Sequence, residues 1–350
     1  MSEQLLTEQI MYKPMMQNLD VIRTDQIREI TIHVTQFCQL RCKHCYASVQ
    51  NEERAQKLEV SDLEWINENF NPEKALLLGG EPLAYLYLED ALKIFKHVTL
   101  STNGIYMRDR IDLLKRYKVT TQISLEGRKA YNDNIRGKDV YEKVIEAGIL
   151  AKQEGLKCYF RMGYCENNLR DVDWLLKNVS AKHGIPLVLL PRLDQPPMSI
   201  DKQIYLFDLI TSADNDSLVD MPHFFQYLGK RGRCHAGSER LNFNYDRAIT
   251  PCQFDWNYTI GRIGQPKEVI NKSREMYIKN CKYIKRECIN CSRADICKGG
   301  CRMTNAHLGC PLKADFDINS YIEMHGTADV GLLADKIGRL VSLVKDAEIC

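Results

Sequence analysis

Glu29-Ile-Thr-Ile-His-Val-Thr35-Gln-Phe-Cys38-Gln-Leu-Arg-Cys42-Lys-His-Cys45-Tyr46 joins an apolar, β-branched run to three cysteines spaced C-x3-C-x2-C. The run Glu29–Thr35 predicts a strand, and the cysteines then fall on the loop that follows it. Three thiolates on one short loop can grip a single inorganic cluster. They cannot satisfy every iron of a [4Fe–4S] cube, so one iron keeps an open position where a substrate or cosubstrate can bind. Zinc is the competing occupant: it takes thiolates at short spacing, and His33 or His44 could complete its ligand set.

Working outward, short apolar runs alternate with helical stretches from residue 28 to residue 193. Candidate strands are Glu29–Thr35, Ala75–Gly79, Val98–Thr102, Thr120–Leu125, Lys157–Met162 and Leu187–Leu190. Ser61-Asp-Leu-Glu64 reads as a capping box opening one helix, and further helices are expected over Tyr87–Lys96, Arg108–Arg116, Tyr141–Glu154 and Arg170–His183. Six strand–helix repeats imply parallel strands joined by right-handed crossovers. They are too few for a closed eight-stranded barrel, so the expected fold is α/β, a partial (β/α)6 TIM-like barrel with its site at the carboxyl ends of the strands. The cysteine loop lies at that end. Periodicity alone does not separate this fold from a flat doubly wound sheet.

The character changes after Leu193, at Asp194-Gln-Pro-Pro197, and a second cysteine group follows. Cys288-Ile-Asn-Cys291, Cys297 and Cys301 give C-x2-C-x5-C-x3-C, with Cys310 nine residues later. Upstream, Cys234 and Cys252 flank an expected hairpin, Leu241–Tyr245 and Ala248–Pro251, turning near Asp246-Arg247. A zinc ribbon would also suit these spacings. The organisation expected is an N-terminal extension over 1–27, the barrel over 28–215, a small cysteine-rich domain over 216–312 and a helical C-terminal segment over 313–350.

Length and composition bound the function. The chain has 350 residues, 44% hydrophobic and 27% charged, with a net charge of +2. That length accommodates one large domain and a smaller one, and that charge gives no footprint for nucleic acid or an anionic membrane. No apolar run is long enough to span a bilayer, and the N-terminus has no signal-peptide pattern, so a cytoplasmic protein is expected. In a reducing compartment 14 cysteines are ligands rather than a disulfide framework.

Together with the cysteine loop, three strand-end motifs carry a family resemblance: Gly79-Gly80-Glu81-Pro82, Ser101-Thr102-Asn103-Gly104, and Ser124-Leu-Glu-Gly127 with Asn134-Ile-Arg136. The chain resembles the radical S-adenosylmethionine (SAM) enzymes, and its second cysteine group resembles their C-terminal SPASM extension. The resemblance implies a SAM-binding [4Fe–4S] cluster on Cys38, Cys42 and Cys45. It implies SAM contacts from Gly79, Gly80, Glu81 and Pro82 to the amino group, from Thr102 and Asn103 along the pocket wall, and from Ser124 and Arg136 to the carboxylate. The His44 backbone would lie near the adenine. Glycines let backbone approach a ligand closely, and a guanidinium forks onto a carboxylate. The resemblance further implies two auxiliary clusters, one on Cys234, Cys252 and Cys301, the other on Cys288, Cys291, Cys297 and Cys310. The chain departs from the family where Arg247 replaces the usual glycine five residues before Cys252, and in offering no evident fourth cysteine to the first auxiliary cluster, for which Cys281 and His235 are candidates. Cys158, Cys165 and Cys350 are unassigned.

The resemblance implies reductive SAM cleavage to a 5′-deoxyadenosyl radical and hydrogen abstraction, most naturally from a ribosomally made peptide. Dehydrogenation or decarboxylation of a small molecule or tetrapyrrole precursor is the alternative. Sulfatase maturation is disfavoured because Gln253 follows Cys252 where those relatives have an aspartate base, although Asp255 would face the same side on a strand. A non-enzymatic iron–sulfur or zinc protein is a further reading that the cosubstrate motifs oppose. Some 27 residues before the first strand are too few for a leader-binding winged helix, so a peptide-modifying role would need either a separate leader-recognition protein or direct docking on the barrel. A reductant such as flavodoxin or ferredoxin is an expected partner.

Overall fold

Ten strands form one sheet in a computed structural model that describes residues 26–47, 54–192, 194–195, 198–213, 217–219 and 235–281. They are β1 (Glu29–Thr35), β2 (Lys74–Gly79), β3 (Val98–Thr102), β4 (Thr120–Ser124), β5 (Cys158–Tyr164), β6 (Leu187–Pro191), β7 (Leu218–Val219), β8 (Arg240–Phe243), β9 (Ala248–Thr250) and β10 (Gly261–Arg262). Their order is β10-β9-β8-β1-β2-β3-β4-β5-β6-β7, with every pair from β8 to β7 parallel and β8-β9-β10 antiparallel. The end strands do not pair with each other, so the barrel is open and partial, as the strand–helix alternation predicts.

Period-2 alternation sets which face each residue takes. Ile30, Ile32 and Val34 join the hydrophobic core beneath the helices, whereas Thr31, His33 and Thr35 point to the other face, the barrel interior. Burying each such aliphatic side chain stabilises the fold by about 1.5–3 kcal/mol relative to exposure. The interior face is more polar, with Gln122, Asn242 and His33 all buried there.

The six predicted strands are present within one or two residues of their expected ends. The capping box is not where it was expected. The Val60–Phe70 helix starts before Ser61, and Glu59 and Asp62 form the reciprocal box, Glu59 N–H donating to Asp62 at 3.0 Å. Glu59-x-x-Asp62 offers the same pairing two residues earlier, which leaves Ser61 inside the helix. The helices Lys129–Arg136, Ile200–Ser212 and Lys267–Cys281 have no counterpart in the sequence reading. The Arg170–His183 expectation is met by a helix at Leu169–Leu175 that runs through a π-helical turn, Leu176–Ser180, to Ala181–His183.

The hairpin around Asp246-Arg247 forms as β8 and β9, and β8 extends the barrel sheet by pairing with β1. Arg247 takes the glycine-like conformation itself, at φ 70°. Left-handed backbone costs a non-glycine residue about 1–3 kcal/mol. The Arg247 guanidinium offsets this with an ion pair at 2.7 Å to buried Asp62, and the Asp246 side chain accepts from Ala248 N–H at 3.0 Å. Residues 252–255 leave the strand in a turn, so Asp255 does not share a strand face with Gln253.

Cys234, Cys288, Cys291, Cys297, Cys301, Cys310, Cys350 and the expected helix Val330–Lys345 lie outside the described residues, and of Cys281 only the backbone is described. Among the described residues no helix is long and apolar enough to cross a membrane.

Candidate active site

The ends of β1 and β2 cross closely. Gly80 N–H donates to Thr35 C=O and Glu81 N–H to Phe37 C=O, each at 2.7 Å. A Cβ on Gly80 would stand 2.0 Å from the Phe37 carbonyl oxygen, and one on Gly79, at φ 144°, would stand 2.5 Å from that of Thr35. Both glycines are therefore required by the backbone leading into Cys38, independently of any ligand.

Glu81 is fully buried, and its carboxylate accepts from Leu83 N–H at 2.9 Å, the Thr102 hydroxyl at 2.6 Å and Asn103 N–H at 2.8 Å. Its oxygens clamp the end of β2 to the end of β3. The ammonium partner expected from the sequence thus meets a carboxylate already engaged by protein donors. Burial pushes its pKa up to about 7. Pro82 is buried and opens the next turn. Asn103 reaches the cysteine loop, accepting from Gln39 Nε2 at 3.1 Å and placing its Nδ2 3.7 Å from Cys38 Sγ.

On the other flank, Arg136 sits in the last turn of the Lys129–Arg136 helix. Its Nη2 meets Glu126 Oε1 at 2.5 Å, and its Nη1 stands 4.0 Å from Cys42 Sγ. His44 Nε2 lies 3.2 Å from the same Glu126 oxygen. Despite burial, Arg136 and His44 draw the Glu126 carboxylate down to about 2. Lys43 N–H also donates to Ile135 C=O at 2.9 Å, tying the loop to the helix. Ser124 ends β4 opposite Arg161 of β5. Glu126 was not singled out from sequence, although it lies two residues beyond Ser124 and so shares its inward face.

The cysteine loop between these flanks fits an iron–sulfur cluster better than zinc. A tetrahedral zinc–thiolate site with bonds of about 2.3 Å holds its sulfurs about 3.8 Å apart. Among the described residues the trio of metal-ligand atoms gathered within 4.8 Å of one another is Asp133, Asp139 and Glu142, so at least one pair of the three cysteine sulfurs stands farther apart than that. His33 does not join them: it is fully buried against Trp256, with ring centroids 4.9 Å apart, and burial pushes its pKa down to about 3. Burial also pushes the Cys38 thiol up to about 12 and raises Cys42, so taking up a metal cluster would displace protons from both. Leu40 N–H, 3.4 Å from Cys38 Sγ, and the Arg136 guanidinium beside Cys42 are donors suited to thiolate charge.

Cys252 shows the same local arrangement, with Phe254 N–H 3.5 Å from its sulfur. The loop beyond it packs on the first cysteine loop: Tyr46 meets Phe254 with centroids 5.3 Å apart, and the Tyr245 hydroxyl donates to Ala47 C=O at 3.1 Å. Cys158 and Cys165 are buried elsewhere, beside Gly148 C=O at 3.9 Å and the Tyr131 hydroxyl at 3.6 Å respectively.

Comparison with known proteins agrees with this geometry. Residues 32–179 match the radical SAM superfamily. GTP 3′,8-cyclase of Aquifex aeolicus is 24% identical over 48% of this chain and 57% of its own length. Fe-coproporphyrin III synthase of Methanosarcina barkeri is 22% identical over 77% and 82%. The chain spans about half the length of the first curated relatives it matches, 40% and 57%. Among solved structures, SuiB of Streptococcus suis bound to its precursor peptide SuiA superposes with TM-score 0.66 at 18% identity, covering 80% of this chain and 72% of SuiB, a likeness of fold.

Proposed function

Residues 32–179 are a radical SAM domain, and from that premise we propose that the chain is an enzyme that cleaves SAM reductively and takes a hydrogen atom from a peptide. The observation that carries the first half is the cysteine loop, whose three sulfurs do not all gather within 4.8 Å of one another and which has donors aimed at two of them. When bound there, cluster and SAM supply a one-electron cleavage of the sulfonium and a 5′-deoxyadenosyl radical able to abstract hydrogen from an unactivated carbon.

The protein's own residues orient and enclose. Cys38, Cys42 and Cys45 would hold three irons. Arg136, whose Nε has no partner among the described residues, and Ser124 would receive the SAM carboxylate. The backbone at Gly79, Gly80, Glu81 and Pro82, with Thr102, Asn103 and the His44 backbone, would form the wall. Glu81 and Glu126 fix that wall from behind. The buried aromatic residues at the mouth, Tyr245 among them, exclude water.

A peptide substrate is supported by likeness to SuiB, crystallised with a precursor peptide. The hydrogen-bonded sulfur of Cys252 supports a ligand role there, in a SPASM-type region whose other cysteines would be Cys234 and Cys301, with Cys288, Cys291, Cys297 and Cys310 forming a second set. The competing small-molecule reading draws on relatives named as a GTP cyclase and a coproporphyrin synthase. A flavodoxin or ferredoxin would deliver the electron.

The test is anaerobic reconstitution with iron and sulfide, followed by SAM and dithionite. The expected product is 5′-deoxyadenosine, lost in Cys38→Ala, Cys42→Ala and Cys45→Ala. Undiminished product in those variants contradicts the proposal. Incubation with candidate precursor peptides, read by mass change, separates the peptide reading from the small-molecule one.

A further inference from the structure

Strand β5 places inside the barrel a cation with no partner among the described residues. Phe160 and Met162 belong to the core beneath the helices, the Phe160 ring lying where a side chain on Gly148 would be. The pleat therefore turns Arg161 and Gly163 inward. The open face of Gly163 confirms this, since a Cβ there would stand 2.8 Å from Arg192 and 3.2 Å from Glu126 Oε2. Arg161 is only partly exposed, yet among the described residues it makes no hydrogen bond or ion pair. The other arginines at this end of the barrel are engaged: Arg136 with Glu126, Arg192 with Asp194 and Arg128 with Asp171.

A guanidinium drawn out of bulk water is ordinarily paired. Its planar fork matches the two oxygens of a carboxylate or phosphate. The residue beside it in register is Ser124, assigned above to the SAM carboxylate, so the Arg161 guanidinium stands at the edge of the cosubstrate pocket on the same inward face. We propose that Arg161 receives an oxyanion of the substrate inside the barrel. This rests on the radical SAM reading and adds to it a property of the substrate, a carboxylate or phosphate that anchors it below the cysteine loop. The other possible source of such a group is the SAM carboxylate. Arg136 is the cation at the cluster end, against Cys42, and its unpartnered Nε serves that carboxylate. Arg161, one strand further from the cysteine loop, is left for the substrate.

The test uses cluster-reconstituted, SAM-loaded protein and three probes in equilibrium dialysis: coproporphyrin III, GTP, and a hexapeptide with two glutamates. Wild type is expected to bind at least one, and Arg161→Gln to weaken that probe by about tenfold or more, with Arg161→Lys recovering part of the loss. The methyl ester or glutamine form of a carboxylate probe should bind wild type and Arg161→Gln alike. The probe that responds identifies the source of the oxyanion. Separately, SAM and decarboxylated SAM should keep their wild-type affinity ratio in Arg161→Gln. Equal binding of the anionic probe to wild type and variant, no binding of any probe to wild type, or selective loss of SAM over decarboxylated SAM would each overturn the proposal. Failure of wild-type protein to form 5′-deoxyadenosine would instead defeat the radical SAM reading, whatever the dialysis shows.

Discussion

Two buried carboxylates flank the cysteine loop and behave in opposite ways. Glu81, 0% exposed, is met by three uncharged donors, and burial lifts it to about 7. Glu126, 3% exposed, is met by Arg136 and His44, and drops to about 2. Burial alone disfavours both charges; the difference is a fixed cation. The Glu81 corner is a hydrogen-bonded joint between strand ends that holds without a counter-charge, whereas the Glu126 corner is a permanent ion pair that sets a positive group against Cys42. The loop is thus braced by backbone on one side and by charge on the other.

The largest effect should come from the backbone side. Gly80→Ala puts a methyl group 2.0 Å from a backbone oxygen that cannot yield without moving the approach to Cys38. A cost above about 4 kcal/mol, or failure to fold, is expected; wild-type denaturation midpoint and iron content in this variant would contradict the crossing described. Next comes the charged side. Glu126→Gln leaves Arg136 buried without its counter-charge, which should cost about 3–5 kcal/mol in anaerobic chemical denaturation. A loss below about 1 kcal/mol would mean that the pair contributes little and that Arg136 is held otherwise.

The smallest effect tests the contrast by pH. The folded-state pKa of Glu81 lies above its ordinary 4.5, so its contribution to stability is complete below about 4.5 and is lost as pH rises through about 7. Glu126 has the opposite sign: its contribution is complete above 4.5 and is lost as pH falls toward about 2. Between pH 4.5 and 7 Glu126 is silent, Glu81 gives a falling contribution, and His33, depressed to about 3, gives a rising one below its ordinary 6.5; the falling part belongs to Glu81. Glu81→Gln should flatten it, changing stability at pH 8 by no more than about 1 kcal/mol. The same slope in both proteins would remove Glu81 from the account.

What could be read from sequence follows the same division. The strands from Glu29 to Leu190 are legible because short apolar runs recur between helical stretches, and the glycine motif is legible because close backbone approach tolerates little else. The Lys129–Arg136 helix was not, since it is short and mostly polar, and so the partner of Arg136 went unseen. Arg247 stands where the family usually has glycine. It adopts the glycine conformation itself, offset by an ion pair to Asp62, a compensation 185 positions away in the chain that no local pattern contains. The pairing of β8 with β1 is long-range for the same reason.

The central claim is that the loop bearing Cys38, Cys42 and Cys45 holds a cluster with one iron open to SAM. Electron paramagnetic resonance of the reduced, anaerobically reconstituted protein tests it directly, using a variant in which Cys288, Cys291, Cys297 and Cys310 are replaced by alanine to simplify the spectrum. A [4Fe–4S] signal whose g-values shift on adding SAM, and which vanishes with Cys42→Ala, is the predicted result. A signal indifferent to SAM, or stoichiometric zinc in place of iron, would contradict it.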